Sequence, residues 1–330
     1  MVETNRLIEK RIRASALYHD LQKALGQMCD LLGEAAGAAI GPMRAELSEM
    51  LLSGGKRLRP MLAYVCYRMG GRRDKPVTPL MSMLELMHTA SIIHDDVVDG
   101  ASRRRGKPTI NNLRGCRAAV QSGDFLLAKA MELLHNYKGT GVNEMLAEVS
   151  YNMTIGELRQ QSMRYEFGSQ SMTAYYDLIT KKTALLFAAS CWCGAIAGGM
   201  DDAAAGYLYN YGEMLGIAFQ LRDDLIDFSD TSGKGLGQDI INGVFTLPML
   251  MLMERGTPAS LRELLYKKDK TESEVSLLVD YVKQSGALDE SESVICEKSR
   301  QAMLMLESFP HCPEKKALGD LVLSLAERQS

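Results

Sequence analysis

Residues 78–99 read TPLMSMLELMHTASIIHDDVVD. Leu80, Met83, Leu84 and Met87 recur at i, i+3, i+4 and i+7, the spacing of one face of an α-helix. The apolar run ends on Asp95, Asp96, Val97, Val98 and Asp99. Residues four apart on a helix lie one turn above each other, so Asp95 and Asp99 share a face. Two carboxylates at that spacing repel, and a cation held between them reverses the sign. Carboxylate oxygens suit a hard ion such as Mg²⁺, which takes one or two carboxylates and completes its shell with phosphate oxygens and water.

The pattern returns at 219–228, FQLRDDLIDF, with Asp223 and Asp227 in the same relation. A solvated acidic helix face is the plain alternative for either copy. Both copies, however, abut apolar residues, Ile92 and Ile93 in the first and Phe219 and Leu221 in the second. Charges there are expensive unless they line a wet, metal-filled cavity. The two are read as metal-binding helices facing one cavity inside a single bundle. Gln220 lies three residues before Asp223 and is expected on its face. His88 lies two turns before Asp95, where a packed core histidine is the alternative to a ligand.

Outward from these motifs the chain reads as all-α. The nine prolines fall at or near expected helix boundaries, and the runs between them keep helical periodicity, as over 125–134 and 172–196. A helix is expected from Glu274 to Gly286, starting after Thr271 and stopping on the glycine. There is no strand–helix alternation, GxGxxG, linker or low-complexity segment, so residues 1–330 are expected to form one domain. Apolar residues make up 46% and charged residues 24%, the balance of a soluble globular protein. The formal net charge of −3 gives no global attraction to nucleic acid or an anionic membrane, so an anionic substrate needs positive charge concentrated locally. Seven cysteines without CxxC spacing argue against a disulfide framework or a zinc site and favour a reducing cytoplasm. The N-terminal MVETNRLIEKRIRAS is charged throughout and is not expected to be a signal peptide. No apolar run of about 18 residues predicts a membrane span.

Local positive charge is present. Gly54-Gly55-Lys56-Arg57-Leu58-Arg59-Pro60 is a glycine turn leading into cations, and Arg103-Arg104-Arg105-Gly106-Lys107-Pro108 follows the first aspartate motif. Lysine meets phosphate as a point charge and arginine as a planar fork. Either run alone reads as a solvated patch. Interleaved with acids over a short span, they suggest one multicharged ligand, bridged by metal on one side and arginine on the other, and a diphosphate fits.

These segments together resemble the trans-isoprenyl diphosphate synthases, the polyprenyl synthetase family, long-chain type. The similarity rests on GGKRLRP (54–60), ELMHTASIIHDDVVDGASRRRGKPT (85–109), GDFLLAKA (123–130), GELRQ (156–160), YDLITKKTALLF (176–187), FQLRDDLIDF (219–228), GKGLGQDI (233–240) and TLPML (246–250). Their order and spacing are specific where each alone is weak. The resemblance implies an isoprenoid-synthase-type helical bundle around a deep central cavity, a 1′-4 condensation and a homodimer. It implies Mg²⁺ held by Asp95 and Asp99, with a further ion at Asp223. Arg104, Lys182 and Lys234 would add positive charge to an allylic diphosphate, and Thr183 and Gln220 would sit beside its reacting carbon. Isopentenyl diphosphate would be held by Lys56, Arg59, His88 and Arg105. One position departs from the family pattern: Val244 stands where a GKxTLP segment commonly has lysine.

Short-product members of that family generally carry a bulky aromatic four or five residues before the first motif. Here the positions are Ser91 and Ala90, both small, which predicts an open tunnel and a product of roughly C30 to C40. Met83, Met87 and Met131 are expected along its wall, although a methionine stripe also reads as ordinary core. The competing readings are a C15 to C20 synthase, a class I terpene cyclase, and one subunit of a heterodimeric synthase. Two DDxxD motifs plus the GGKRLRP segment speak against the cyclase, and intact motifs speak against a non-catalytic subunit.

Overall fold

Proline and glycine mark the helix ends where their backbone chemistry requires it. The computed structural model describes residues 17–53, 55–72, 75–104, 106–166, 170–229 and 236–326. The helices are α1 (Tyr18–Gly37), α2 (Met43–Leu52), α3 (Leu58–Gly70), α4 (Thr78–Val98), α5 (Ile110–Arg114), α6 (Cys116–Leu133), α7 (Val142–Met163) and α8 (Met172–Ile179). They continue with α9 (Leu185–Ala197), α10 (Asp202–Ile226), α11 (Gln238–Ile241), α12 (Leu247–Glu254), α13 (Ala259–Tyr266), α14 (Glu272–Gln284), α15 (Ala287–Leu306) and α16 (Pro313–Ala326). The all-α expectation holds, with one addition. The basic run after the first aspartate motif is a minimal hairpin, β1 (Arg103–Arg104) against β2 (Lys107–Pro108), turned at Gly106, where φ is +79°. Glycine adopts that conformation without a Cβ penalty.

The helix starts follow local rules. Pro79 and Pro248 occupy the first turns of α4 and α12, where a missing N–H leaves no bond unmade. The helix expected after Thr271 is present as α14, which begins at Glu272 rather than Glu274 and is capped reciprocally by Thr271 and Glu274; it stops at Gln284, and Gly286 opens the next helix instead. At α4, the otherwise orphaned amide of Leu80 donates to the Tyr137 hydroxyl, and that hydroxyl donates to the Pro76 carbonyl.

The chain forms two compact units. The N-terminal unit comprises described residues up to 145 together with 190–206, and the C-terminal unit comprises 146–189 and 207 onward. In the N-terminal unit, α4 packs along α6 and against α1 and α3. Positions 80–87 of α4 are buried without interruption, Ser82 and Glu85 included. The expected single stripe is therefore too narrow. An all-round apolar helix is a core helix, and Ser82 is tolerated there because its hydroxyl donates to the Thr78 carbonyl. Met83 and Met87 are buried, but Met131 is 62% exposed on α6, one residue past the buried Ala130, so it lines no interior. Close backbone contact comes from Gly194 and Gly198, where a Cβ would stand 2.2 and 2.3 Å from the carbonyl oxygens of Ala63 and Tyr67.

In the C-terminal unit, α15 packs on α16 and α12. The later part of α10 is tied down by two long hydrogen-bond tethers. Tyr211 donates to the Leu318 carbonyl, and Arg222 reaches both Glu292 and the Leu325 carbonyl.

Candidate active site

In the N-terminal unit, Asp95 lies half-buried in the last turn of α4, and Asp99 caps the helix, exposed, its amide bonded to the Asp95 carbonyl. Asp96 behaves differently: it is 3% exposed and accepts from Arg104 Nε at 2.7 Å. The side chain of Arg104, expected on a substrate, is thus oriented by the middle aspartate of the motif. His94, just before the motif, rests on Gly123 of α6, where a Cβ would sit 2.2 Å from the ring.

The GGKRLRP segment separates into two roles. Arg57 adopts a left-handed backbone at the start of α3, and its guanidinium is held by the Glu85 carboxylate and the Leu51 carbonyl. It is a structural anchor. Arg59 is partly sequestered; burial lowers its pKa to about 10 and the Glu85 charge opposes that shift. Glu85 is three residues before His88 on α4, so it fastens the basic segment to the helix face that carries the histidine. Lys56 and His88 are both half-buried. Ala90 is fully buried, whereas Ser91 is half-exposed with its hydroxyl donating to the His88 carbonyl. Gly54, Arg105, Lys234 and the N-terminal segment 1–16 lie outside the described residues.

In the C-terminal unit, the run from Met172 is not one regular helix. Residues Thr180–Ala184 form a π-helical turn, with the Leu185 amide bonded to the carbonyl of Thr180 five residues back. Such bulges concentrate at functional sites. Two glycines make room for it: a Cβ at Gly216 of α10 would lie 2.6 Å from Ala184 Cα, and one at Gly156 of α7 would lie 3.1 Å from the Lys182 amide. Lys182 and Thr183, adjacent in this turn, point to different partners. Lys182 reaches Glu157 at 2.5 Å and Gln160 at 3.1 Å, both on α7. Thr183 donates to Gln220 Oε1 at 2.7 Å, and Gln220 Nε2 donates to Asp224 Oδ1 at 2.9 Å. The Tyr175 hydroxyl completes the line by donating to the other oxygen of Asp224. Thr183 and Gln220 are therefore brought together as expected, but Gln220 is committed to Asp224 rather than to Asp223.

Asp224 is buried, and its pKa is pushed up to about 7 by that burial and by the neighbouring Asp223 and Asp227 charges, against the bonds from Tyr175 and Gln220. Asp227 is also buried and accepts the amides of Gln238 and Asp239 at 3.0 Å each, capping α11. Asp223 remains half-exposed. Sequence reasoning passed over Glu85, Glu157, Gln160, Tyr175 and Asp224. Glu85, Glu157, Gln160 and Asp224 all lie within segments that carry the resemblance and so had a signal; Tyr175 stands one residue outside its matching segment.

Asp95 and Asp223 are thus half-buried and Asp99 exposed, whereas Asp96, Asp224 and Asp227 are buried. Among the described residues no three or more His, Cys, Asp or Glu side chains converge as a metal-holding group. A donor set of one or two carboxylates fits Mg²⁺ completed by substrate oxygens. No helix among the described residues is long and apolar enough to cross a membrane.

Residues 42–282 match the family described as polyprenyl synthetase. The chain is 31% identical over 321 residues to heptaprenyl diphosphate synthase component 2 of Geobacillus stearothermophilus, covering 96% of this chain and 99% of that one. It is 32% identical over 280 residues to octaprenyl diphosphate synthase of Escherichia coli (strain K12), covering 83% and 86% respectively. In structure it resembles a polyprenyl synthase from Caulobacter crescentus CB15, complexed with calcium and isoprenyl diphosphate, at a TM-score of 0.88 and 31% identity over 98% of both chains. The chain belongs to the polyprenyl synthetase family, the trans-isoprenyl diphosphate synthases that its motifs resemble.

Proposed function

We propose that this prenyltransferase condenses isopentenyl diphosphate with an allylic diphosphate, 1′-4 and trans, and that its product is a long-chain all-trans polyprenyl diphosphate of roughly C30 to C40. The observation that carries the reading is the division of labour within each DDxxD motif: the second aspartate is buried on a protein partner and the first is only half-buried. Asp95, Asp99 and Asp223 would hold Mg²⁺. When bound, that ion would stabilise the negative charge developing on the departing diphosphate. Arg104, set by Asp96, and Lys182, set by Glu157 and Gln160, add cations whose positions are fixed before substrate arrives. Lys234 is assigned the same role. The Gln220 amide is held at both ends, so it and the Thr183 hydroxyl present oriented dipoles to the allylic carbon. Lys56, Arg59, His88 and Arg105 are assigned to isopentenyl diphosphate. No side-chain nucleophile is needed; the departing diphosphate serves as the base for the final proton.

Residues 1–330 are proposed to act as one catalytic domain, a reading supported by a family match that includes residues of both units. Seven free thiols favour a reducing compartment, so a cytoplasmic enzyme is proposed. A homodimer is the proposed assembly. The likeness to a relative named as component 2 favours a second reading, in which this chain is the catalytic subunit of a heterodimer. Incubating the purified chain alone with an allylic diphosphate, isopentenyl diphosphate and Mg²⁺ decides between them. Elongation is expected; none without an added partner would favour the heterodimer.

Product length tests the tunnel argument. Ser91→Phe and Ala90→Phe are each expected to shorten the products toward C15 to C20. Ser91 is the cleaner site, because Ala90 is fully buried and overfilling a packed core typically destabilises by about 1–3 kcal/mol. An unchanged length distribution from folded protein of both variants would remove the small residues from the account.

A further inference from the structure

Asp96 accepts from the Arg104 cation, whereas Asp224, the corresponding aspartate of the second motif, is held by two neutral side chains. The Tyr175 hydroxyl donates to one of its oxygens and the Gln220 amide to the other. Gln220 and Asp224 lie one turn apart on the same face of α10, and Tyr175 comes from α8. Tyr175 and Asp224 are both buried, so water does not compete for their bond. Donors on both oxygens set the plane of the carboxylate, and the carboxylate in turn sets the amide. Its oxygens accept, so the NH2 end of Gln220 faces Asp224 and the carbonyl end faces the Thr183 hydroxyl. All four residues belong to the C-terminal unit.

The Tyr175 hydroxyl is well placed to act as a fixed donor. The amide of Leu247, the first residue of α12, meets it from the other side, and α12 packs on α8. Burial and the Asp224 charge raise its pKa well above the usual tyrosine range, so it keeps the proton that it gives to Asp224. Tyr137 makes a useful contrast. Its hydroxyl also meets the amide at the start of a helix, that of Leu80, but donates to the Pro76 carbonyl and so joins backbone to backbone. At Tyr175 the corresponding bond ends on a carboxylate, and that carboxylate orients a residue of the candidate site.

We propose that Tyr175 is a positioning residue for the condensation: by holding Asp224, it fixes which end of the Gln220 amide meets Thr183, and so sets the Gln220 carbonyl and Thr183 hydroxyl oxygens beside the allylic carbon. The inference rests on the function proposed above. It gives the middle aspartate of DDLID a task other than binding metal. Positive charge develops on the allylic carbon as the diphosphate departs, and oxygen dipoles already held in place need no reorganisation at that moment. Without the hydroxyl, one buried oxygen of Asp224 loses its donor, and the carboxylate and the amide are free to turn.

Tyr175→Phe removes the hydroxyl and keeps the ring. Followed in single turnover at saturating substrates, its first condensation is expected to slow by about 10- to 100-fold, the loss of one hydrogen bond to a charged group. The concentration of either substrate that gives half-maximal rate is expected to stay within about threefold of wild type. A double-mutant cycle supplies the readout that a merely structural role would not move. In a Gln220→Leu background, Tyr175→Phe is expected to cost less than about twofold, because the group it positions is gone. Full additivity of the two substitutions would overturn the inference. So would weaker binding of both substrates with the rate at saturation unchanged. If Tyr175→Phe proves unfolded by circular dichroism, Asp224→Asn carries the same comparison: it puts a donor where an acceptor stood, and its loss should likewise vanish beside Gln220→Leu. Every assay uses the conditions, with or without an added partner, in which wild-type protein elongates. Wild-type elongation beside a folded Phe variant of undiminished rate removes the role of Tyr175 and leaves the reaction standing. Wild-type protein that elongates under neither condition overturns the proposed reaction and this role with it.

Discussion

Asp95→Ala is expected to lower turnover by at least about 10²- to 10³-fold, the loss typical of removing one preorganised electrostatic stabiliser. Its effect on folding should run the other way or be small. Asp95 and Asp99 are like charges one helical turn apart, a pairing that destabilises a helix by about 0.2–0.5 kcal/mol. Both also sit at the C-terminal end of α4, where negative charge opposes the helix dipole by a further ~0.3–1 kcal/mol. The metal-free variant should therefore unfold at the same or slightly higher denaturant concentration than wild type. Adding EDTA should abolish turnover in wild type without reproducing any loss of fold. Rapid turnover by the variant would mean that Asp95 holds no metal, and a strong loss of stability would assign it to the architecture with Asp96.

Glu85→Ala is expected to destabilise the protein by about 3–5 kcal/mol, the range for removing one partner of a buried ion pair. The Glu85 and Arg57 side chains are only 9% and 10% exposed. The substitution would leave the Arg57 guanidinium with only the Leu51 carbonyl of these two partners and remove a negative charge that offsets the burial of Arg59. Equilibrium unfolding in guanidinium chloride measures the loss. Where the variant remains folded, the KM for isopentenyl diphosphate should rise more than that for the allylic substrate, since Glu85 anchors the segment bearing Lys56 and Arg59. Destabilisation below about 1 kcal/mol would show that water reaches both guanidinium groups once the carboxylate is gone.

How legible each feature was in the sequence depended on how local its cause is. The start of α14 at Thr271 and the proline-marked starts of α4 and α12 rest on residues a few positions apart, and the pattern reads them correctly. The buried face of α4 is wider than its periodicity indicates, because Ser82 and Glu85 read as solvent-facing residues but are satisfied inside by Thr78 and Arg57. DDVVD and DDLID read as near copies, yet their middle aspartates meet Arg104 in one case and Tyr175 and Gln220 in the other. Nothing in the pentapeptides encodes that difference, which comes from partners elsewhere in the chain. Arg57 and Arg59 likewise differ in role while contributing identical charge to the pattern. Lys182 reads as a substrate cation, and its placement by Glu157 and Gln160 is visible only once α7 lies beside the π turn.

That π turn has a bearing on how relatives of this chain should be aligned and redesigned. One surplus residue within Thr180–Ala184 displaces the angular phase of everything beyond it by about 100° relative to an uninterrupted helix. A helical wheel drawn straight through residues 172–197 therefore assigns at least one half to the wrong direction. A designer who idealised the segment by trimming one amino acid would leave its composition nearly intact and rotate α9 against the glycines that now receive the bulge. In this segment the length of the chain is as informative as the identity of its side chains.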